Sequence, residues 1–178
     1  PRPPDCAHLA GLASDRPQMP WDGTGLRVAA VRADGTVGTP RTLLGGTQES
    51  VLQPEWADAS TLYAVTDRSG WWNLVRLALD GGAPEPLHGG EEEFGAPLWE
   101  LGQTTYALLD DGRLAVTHGV GRAALGVLDP RDGQLVDLEV PFPSFQSSVV
   151  ALSGLMVVIG IRSPAPTACA TGHPGHLP

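Results

Sequence analysis

Gln53-Pro54-Glu55-Trp56 is followed 43 residues later by Ala96-Pro97-Leu98-Trp99, and Leu43-Leu44 is followed by Pro86-Leu87 at the same interval. Two independent anchors with one spacing indicate an internal repeat, and a repeat of this length marks a structural unit rather than a chemical motif. Asp-Gly or Gly-Gly pairs recur around the anchors: Asp34-Gly35, Asp80-Gly81-Gly82, Asp111-Gly112 and Asp132-Gly133. Such pairs tolerate positive φ and are expected to close two-residue hairpins. The stretches they separate, 26–32, 51–56, 61–67, 72–79, 105–109, 113–118 and 123–128, are short and rich in β-branched and aromatic residues. None sustains a period of 3.6, which argues for strands and against helices.

A period near 43 with about four strands per unit is what one blade of a β-propeller requires. The expected fold is therefore all-β, a partial β-propeller of about three and a half four-stranded blades. These fall at about 20–45, 51–88, 96–139 and 148–162, within a domain covering 1–162. Trp56 and Trp99, each after a Pro at strand entry, are expected to be buried on the inner strands of their blades. The longest apolar run, 149–161, is interrupted by Ser153-Gly154 and is shorter than the roughly 20 residues that span a bilayer. It reads as strand, tight turn, strand. Residues 163–178 lose the strand pattern, and an irregular or disordered tail is expected there, as a truncated or shifted reading frame would give. Propellers close with 4 to 8 blades, so a full ring needs ~100 to 150 further residues.

Composition agrees with this reading and removes others. The 178 residues include no Lys, 11 Arg and 20 Asp plus Glu, a formal net charge of −9. Nucleic acid needs a basic face, so it is not an expected partner. The 23 Gly and 17 Pro suit many short strands joined by many turns, although all-Arg basic usage beside abundant Ala, Gly and Pro also fits a GC-rich coding genome. Cys6 and Cys169 lie near the two ends, too few for a disulfide framework or a four-ligand zinc site. Free thiols in a reducing compartment are expected. With no export segment at the start, the default location is cytoplasmic, and no membrane contact is expected.

Four strings in order carry a resemblance. Met19-Pro20-Trp21-Asp22-Gly23-Thr24, Gln53-Pro54-Glu55-Trp56, Thr66-Asp67-Arg68-Ser69-Gly70-Trp71-Trp72-Asn73-Leu74 and Glu93-Phe94-Gly95-Ala96-Pro97-Leu98-Trp99 together resemble the N-terminal propeller of bacterial serine peptidases of the prolyl oligopeptidase family, the dipeptidyl aminopeptidase and acylaminoacyl-peptidase type. The resemblance covers roughly residues 8–160. Ala57-Asp58-Ala59-Ser60 departs from the Ser-Pro-Asp-Gly turn usual in these repeats, and the tail after Ser163 does not match. In this family the propeller accompanies an α/β-hydrolase domain with a Ser, Asp and His triad, whose nucleophile sits on a Gly-x-Ser-x-Gly elbow. The resemblance thus implies a non-catalytic segment that gates and lines the cleft where such a domain hydrolyses peptides. The hydrolase domain and a peptide substrate are the partners it implies. Asp-Arg-x-Gly followed by Asn-Leu also occurs in TolB-like propellers, so the alternative is a freestanding module that binds a protein or ligand.

No Gly-x-Ser-x-Gly occurs in the chain, so no catalytic residue is nominated and the chain is expected to be inactive alone. The candidate substrate-binding residues are Glu91, Glu92, Glu93, Arg68 and Trp71. The acidic run resembles, as a pair of carboxylates, the feature with which dipeptidyl peptidases of this family hold a free amino terminus; a solvated loop between blades is the bland alternative. Asp67-Arg68-Ser69-Gly70 presents polar groups, but Asp before a tight turn normally bonds its own backbone. Of Trp71 and Trp72, alternation sends only one ring outward. His173 and His176 lack a third ligand, and His8, His88 and His118 form no constellation in the sequence. No metal and no cofactor is expected. Exposed strand edges on a partial ring are expected to promote self-association.

Overall fold

Asp111 and Gly112 show how the turns are made. Gly112 has φ 85°, its N–H donates to the Leu109 carbonyl, and the Asp111 carboxylate accepts the Arg113 N–H at 3.0 Å. Asp34 and Asp132 accept from the backbone two residues on in the same way, and Gly35 and Gly133 have φ of 81° and 75°. The loops are longer than two residues, however. Leu109 N–H donates to Arg113 O and Arg32 N–H to Thr36 O, each across three residues, while Asp129 N–H reaches Gln134 O across four. A type I turn followed by a left-handed residue gives this geometry, which explains why Gly stands at the end of the loop.

The computed structural model describes residues 3, 5–97, 99–100, 102–152, 155–161 and 168–172, with backbone only for 147 and 168–172. Fourteen strands form among them: β1 His8–Ala13, β2 Gly25–Ala30, β3 Arg41–Gly45, β4 Val51–Trp56, β5 Thr61–Thr66, β6 Asn73–Ala78, β7 Glu85–Pro86, β8 Tyr106–Leu108, β9 Leu114–His118, β10 Ala124–Leu128, β11 Leu135–Asp137, β12 Ser144–Leu152, β13 Leu155–Ile161 and β14 Ala168–Gly172. They make four antiparallel sheets in chain order, β1-β2-β3, β4-β5-β6-β7, β8-β9-β10-β11 and β12-β13-β14. No helix occurs among the described residues. Consecutive meanders of three or four strands are the blades of a partial β-propeller.

Two compact units divide the chain, 1–86 and 87–178. The core of the first lies between its two sheets, where Leu26, Val28, Leu44, Val51, Leu62 and Val75 are packed together. β5 is buried on both faces, as the middle of a blade requires: Leu62 and Ala64 face this core while Tyr63 and Val65 point the other way. Pro20 ties the segment before β2 to the segment before β4. Its carbonyl accepts from the hydroxyls of both Thr24 and Ser50. The core of the second unit holds Leu109, Ala115, Leu125, Val127, Val149, Met156 and Val158. Its two sheets are also tied by polar contacts, with Val149 N–H bonded to Thr104 and Thr104 Oγ1 donating to Val149 O at 2.7 Å.

The 43-residue interval survives only in part. It relates β3 to β7, where Leu43-Leu44 matches Pro86-Leu87, but it does not relate β4 to β8. Five residues, 46–50, join β3 to β4, whereas nineteen, 87–105, join β7 to β8. Trp99 falls in that longer connection, outside any strand and 73% exposed, so it is not the buried inner-strand residue that its spacing suggests. Trp56 is buried at the end of β4. Pro54 stands inside that strand rather than at its entrance: the register shifts between Leu52 and Glu55, and Gln53 adopts φ 44°. Proline, which cannot donate to the ladder, is tolerated at such a bulge.

β12 and β13 pair Val149 with Val158 and Leu152 with Leu155, and the Ser153-Gly154 turn lies outside the described residues. β14 falls within 163–178, the stretch read from sequence as irregular, and pairs with β13 from Met156↔Gly172 to Gly160↔Ala168. The rest of that stretch, including His173 and His176, lies outside the described residues.

Candidate functional site

Arg68 and Trp71 belong to the first unit, on the turn between β5 and β6. Asp67 anchors this turn. Its carboxylate accepts the Ser50 N–H at 2.8 Å, its N–H donates to Ser50 O, and its carbonyl accepts from Gly70. The Asp role is therefore structural, but its side chain reaches across to the segment before β4 instead of bonding its own loop. Arg68 Nε lies 3.5 Å from Glu49 Oε1, and the same oxygen accepts the Thr66 hydroxyl at 2.6 Å. A ligand at Arg68 competes with that carboxylate. Trp71 and Trp72 are both half-buried. Trp71 N–H donates to Ser69 Oγ, which also lies 3.2 Å from Asn73 Oδ1.

Glu91, Glu92 and Glu93 belong to the second unit, on the long connection between β7 and β8. They do not act as a pair. Glu91 is exposed, while Glu92 turns inward to His118, its Oε2 lying 2.7 Å from the ring Nδ1. On the far side of that ring, Nε2 lies 2.9 Å from Asp137 Oδ1 on β11. His88 approaches the other Glu92 oxygen at 3.6 Å and meets Gly133 O through Nδ1 at 2.8 Å. Phe94, buried, stacks on His118. Two histidines that are scattered in the sequence thus converge on one carboxylate. Nothing in the spacing of 88, 92, 118 and 137 announces this, because the contacts cross strands; only the burial of His at the end of an apolar strand hints at a partner.

Glu93 pairs with Gly119 through two backbone bonds of 3.1 Å, Glu93 N–H to Gly119 O and the reverse. Beside this clamp opens a cleft of about 280 Å³, lined by Glu93, Thr105, Thr117, His118, Arg122 and Phe145 among others. Thr117 is oriented by its hydroxyl and its N–H, both bonded to Thr105 O. The named lining residues carry one carboxylate, one guanidinium, one imidazole, two hydroxyls and a phenyl ring. That set suits a small polar ligand with an apolar part. No group of three or more His, Cys, Asp or Glu in metal-binding geometry occurs among the described residues. Cys6 is free and exposed. No helix among the described residues is long and apolar enough to cross a membrane.

No protein-family model and no curated protein matches the chain. Solved structures do. A puromycin-hydrolysing peptidase of Mycobacterium tuberculosis is 45% identical over 98% of this chain, with a TM-score of 0.93. A puromycin hydrolase is 40% identical over 96%, with a TM-score of 0.90. Prolyl oligopeptidase B of Galerina marginata shares the fold at 12% identity and a TM-score of 0.74. TolB of Acinetobacter baumannii is a looser likeness, 14% identical with a TM-score of 0.55. The chain spans only about a quarter of the length of the peptidase structures, 27%, 26% and 23% of the three named. At this identity and coverage the likeness extends beyond fold, and the chain is homologous to the N-terminal β-propeller of peptidases of the prolyl oligopeptidase family.

Proposed function

We propose that this chain is the non-catalytic propeller portion of a serine peptidase, gating and lining the substrate cleft of an α/β-hydrolase domain that supplies the triad. The observation that carries the reading is 45% identity across 98% of the chain to a puromycin-hydrolysing peptidase. The chain itself has no Gly-x-Ser-x-Gly elbow, so hydrolysis needs a second domain. A rigid ring of blades restricts entry by size, and its loops add contacts that a bare hydrolase lacks.

The substrate class we favour is a short peptide or aminoacyl amide with a free amino group. Glu93 supports this. It is the member of the acidic run that lines the cleft, whereas Glu92 is committed to His118. An ammonium group against that carboxylate gains a charge-assisted hydrogen bond, and an N-acylated end does not. Arg68 and Trp71 belong to the reading as secondary contacts, Arg68 only after release from Glu49. A cytoplasmic location is part of the same proposal, in keeping with a free, exposed Cys6.

The test is a chimera in which this chain replaces the matching segment of the M. tuberculosis peptidase. Aminoacyl and N-acyl-aminoacyl chromogenic amides and peptides of increasing length are offered to the chimera and to the chain alone. The reading expects turnover of short, free-amine substrates by the chimera and none by the chain. A folded chimera without activity, or turnover by the purified chain, overturns it.

A further inference from the structure

We infer that Arg122 receives the free carboxylate of the peptide whose amino group lies at Glu93, so that the cleft of the second unit prefers a short zwitterionic peptide to the same peptide closed as an amide. The inference rests on the reading of Glu93 given above and adds a second charged contact to it. The starting point is how this chain uses its arginines. Arg68, Arg76, Arg113 and Arg131 each lie against a carboxylate, and Arg41 bonds the Leu79 carbonyl. Arg122 has no side-chain partner among the described residues, although the chain carries 20 Asp plus Glu. Arg16 and Arg27 share that state in the first unit, but Arg16 is exposed on a turn and Arg27 lines a recess of only about 70 Å³. Arg122 lines the cleft of about 280 Å³.

The β9–β10 turn holds Arg122 beside Glu93. Glu93 and Gly119 exchange two backbone bonds, which puts their Cα atoms ~5.5 Å apart. Gly119 has φ 133°, and a Cβ there would stand 2.3 Å from Arg122 O and 3.4 Å from the carbonyl carbon of Arg122. The turn is thus closed so tightly that the Cα atoms of Gly119 and Arg122 lie within ~7 Å of each other. The backbones of Glu93 and Arg122 are then at most ~12 Å apart, and both residues line one cleft. The charged ends of an extended dipeptide are ~7 Å apart, a span that the two side chains can bracket.

Charge then selects the ligand. Arg122 forms no ion pair with Glu93, so the cleft holds one charge of each sign that the other does not neutralise. A simple anion at Arg122 meets Glu93 in the same cleft and a net charge of −9 on the chain, and a simple cation at Glu93 meets Arg122. A molecule carrying both charges at the right span gains both contacts and brings no net charge. His118 offers no competing contact, because Glu92 and Asp137 occupy its two ring nitrogens. Phe145, half-buried, gives an apolar side chain of the ligand a wall to lie against. Arg122 is exposed, so its contact with a carboxylate is expected to contribute about fivefold in affinity, as at other solvated ion pairs.

The experiment uses the 178-residue chain and four probes: the dipeptide Ala-Phe, its C-terminal amide, its N-acetyl form and acetate. Amide chemical shifts of Glu93, Gly119 and Arg122 report binding and give the dissociation constants. The expected result is that Ala-Phe shifts these amides and binds about fivefold more tightly than its amide, while acetate does not saturate over the same range. Arg122→Gln, on an exposed turn, is expected to abolish the difference between acid and amide and to keep the difference between free and acetylated amine. Equal affinity for acid and amide, an acid preference that survives Arg122→Gln, or acetate binding as tightly as the dipeptide overturns the inference. So does the absence of any shift with Ala-Phe. The comparison of free with acetylated amine reads the proposed function and the comparison of acid with amide reads Arg122, so the two fail separately.

Discussion

The ring of Phe94 lies nearly parallel to the imidazole of His118, with centroids 5.4 Å apart and planes 19° apart. The contact joins the long β7–β8 connection to the end of β9 by an aromatic face on a ring between two carboxylates. Phe94 is 1% exposed, so it also acts as the apolar plug of this segment. Phe94→Ala is expected to cost about 3–5 kcal/mol in urea unfolding, the range for deleting a buried aromatic ring. Phe94→Leu keeps most of the bulk and loses the ring face, with an expected cost of about 1–2 kcal/mol. A Phe94→Leu cost near zero would show that stacking adds nothing to volume.

Gly126 on β10 is required by its neighbours rather than by its backbone. A Cβ there meets Leu135 Cδ1 at 2.9 Å and both His118 Nε2 and Val136 O at 3.2 Å. Gly126→Ala is expected to destabilise by about 1–3 kcal/mol through overpacking and to lengthen the contact between His118 and Asp137. Chemical denaturation and the His118 ring nitrogen shifts check the two halves.

Burial pushes the Glu55 carboxyl above its ordinary range. A folded-state value higher than the unfolded one means that the fold prefers the protonated form. Stability from this group is therefore full below the ordinary unfolded range and falls as pH rises through the raised folded value. Glu55→Gln removes that fall. Urea midpoints measured across the carboxylate range are expected to decline in the unaltered chain more steeply than in the variant.

The opposite sign holds at Asp129, where the Arg131 side chain lowers the carboxyl to about 2. Arg131 Nε bonds Asp129 Oδ1 at 2.8 Å. The interaction is present above the ordinary unfolded carboxyl range and is lost as pH falls through the lowered value. Arg131→Gln is expected to return the carboxyl carbon titration of Asp129 toward 3.8, the ordinary value. An unmoved midpoint would assign the shift to the backbone N–H of Arg131 instead.

At the hairpin end of β12 and β13 one face carries an aliphatic patch. Val150 pairs with Val157 and Leu152 with Leu155, and Val150 and Leu152 are 49% and 67% exposed. Self-association through this face is the expected behaviour of the isolated chain. Replacing Val150 and Leu152 together by Lys is expected to lower the weight-average mass in sedimentation by at least half with the circular dichroism spectrum unchanged. A monomeric parent chain contradicts the expectation.

The blades were legible because their signals are local. Asp-Gly pairs, short β-branched runs and the absence of a helical period each act within a few residues, and the structure has strands where those signals fall. Trp99 shows where local reading stops. Its likeness to Trp56 is a likeness of four residues, and the longer β7–β8 connection that displaces it leaves no local mark. The candidate site was legible as residue types only. Glu91, Glu92 and Glu93 read as one acidic run, yet Glu92 turns in to His118 while Glu93 lines the cleft, because His118 and Asp137 come from strands 26 and 45 residues further on. Pairings of that kind depend on register, which no short motif records.

The connection from 87 to 105 begins and ends on finished ladders, and most of its length adds no rung to either. Phe94, Glu92, Glu93 and Thr104 fix it to the second unit, so a relative can exchange the residues between these anchors without disturbing the blades. Differences in what such peptidases admit should then concentrate between those anchors, while the repeats on either side change slowly to preserve their packing.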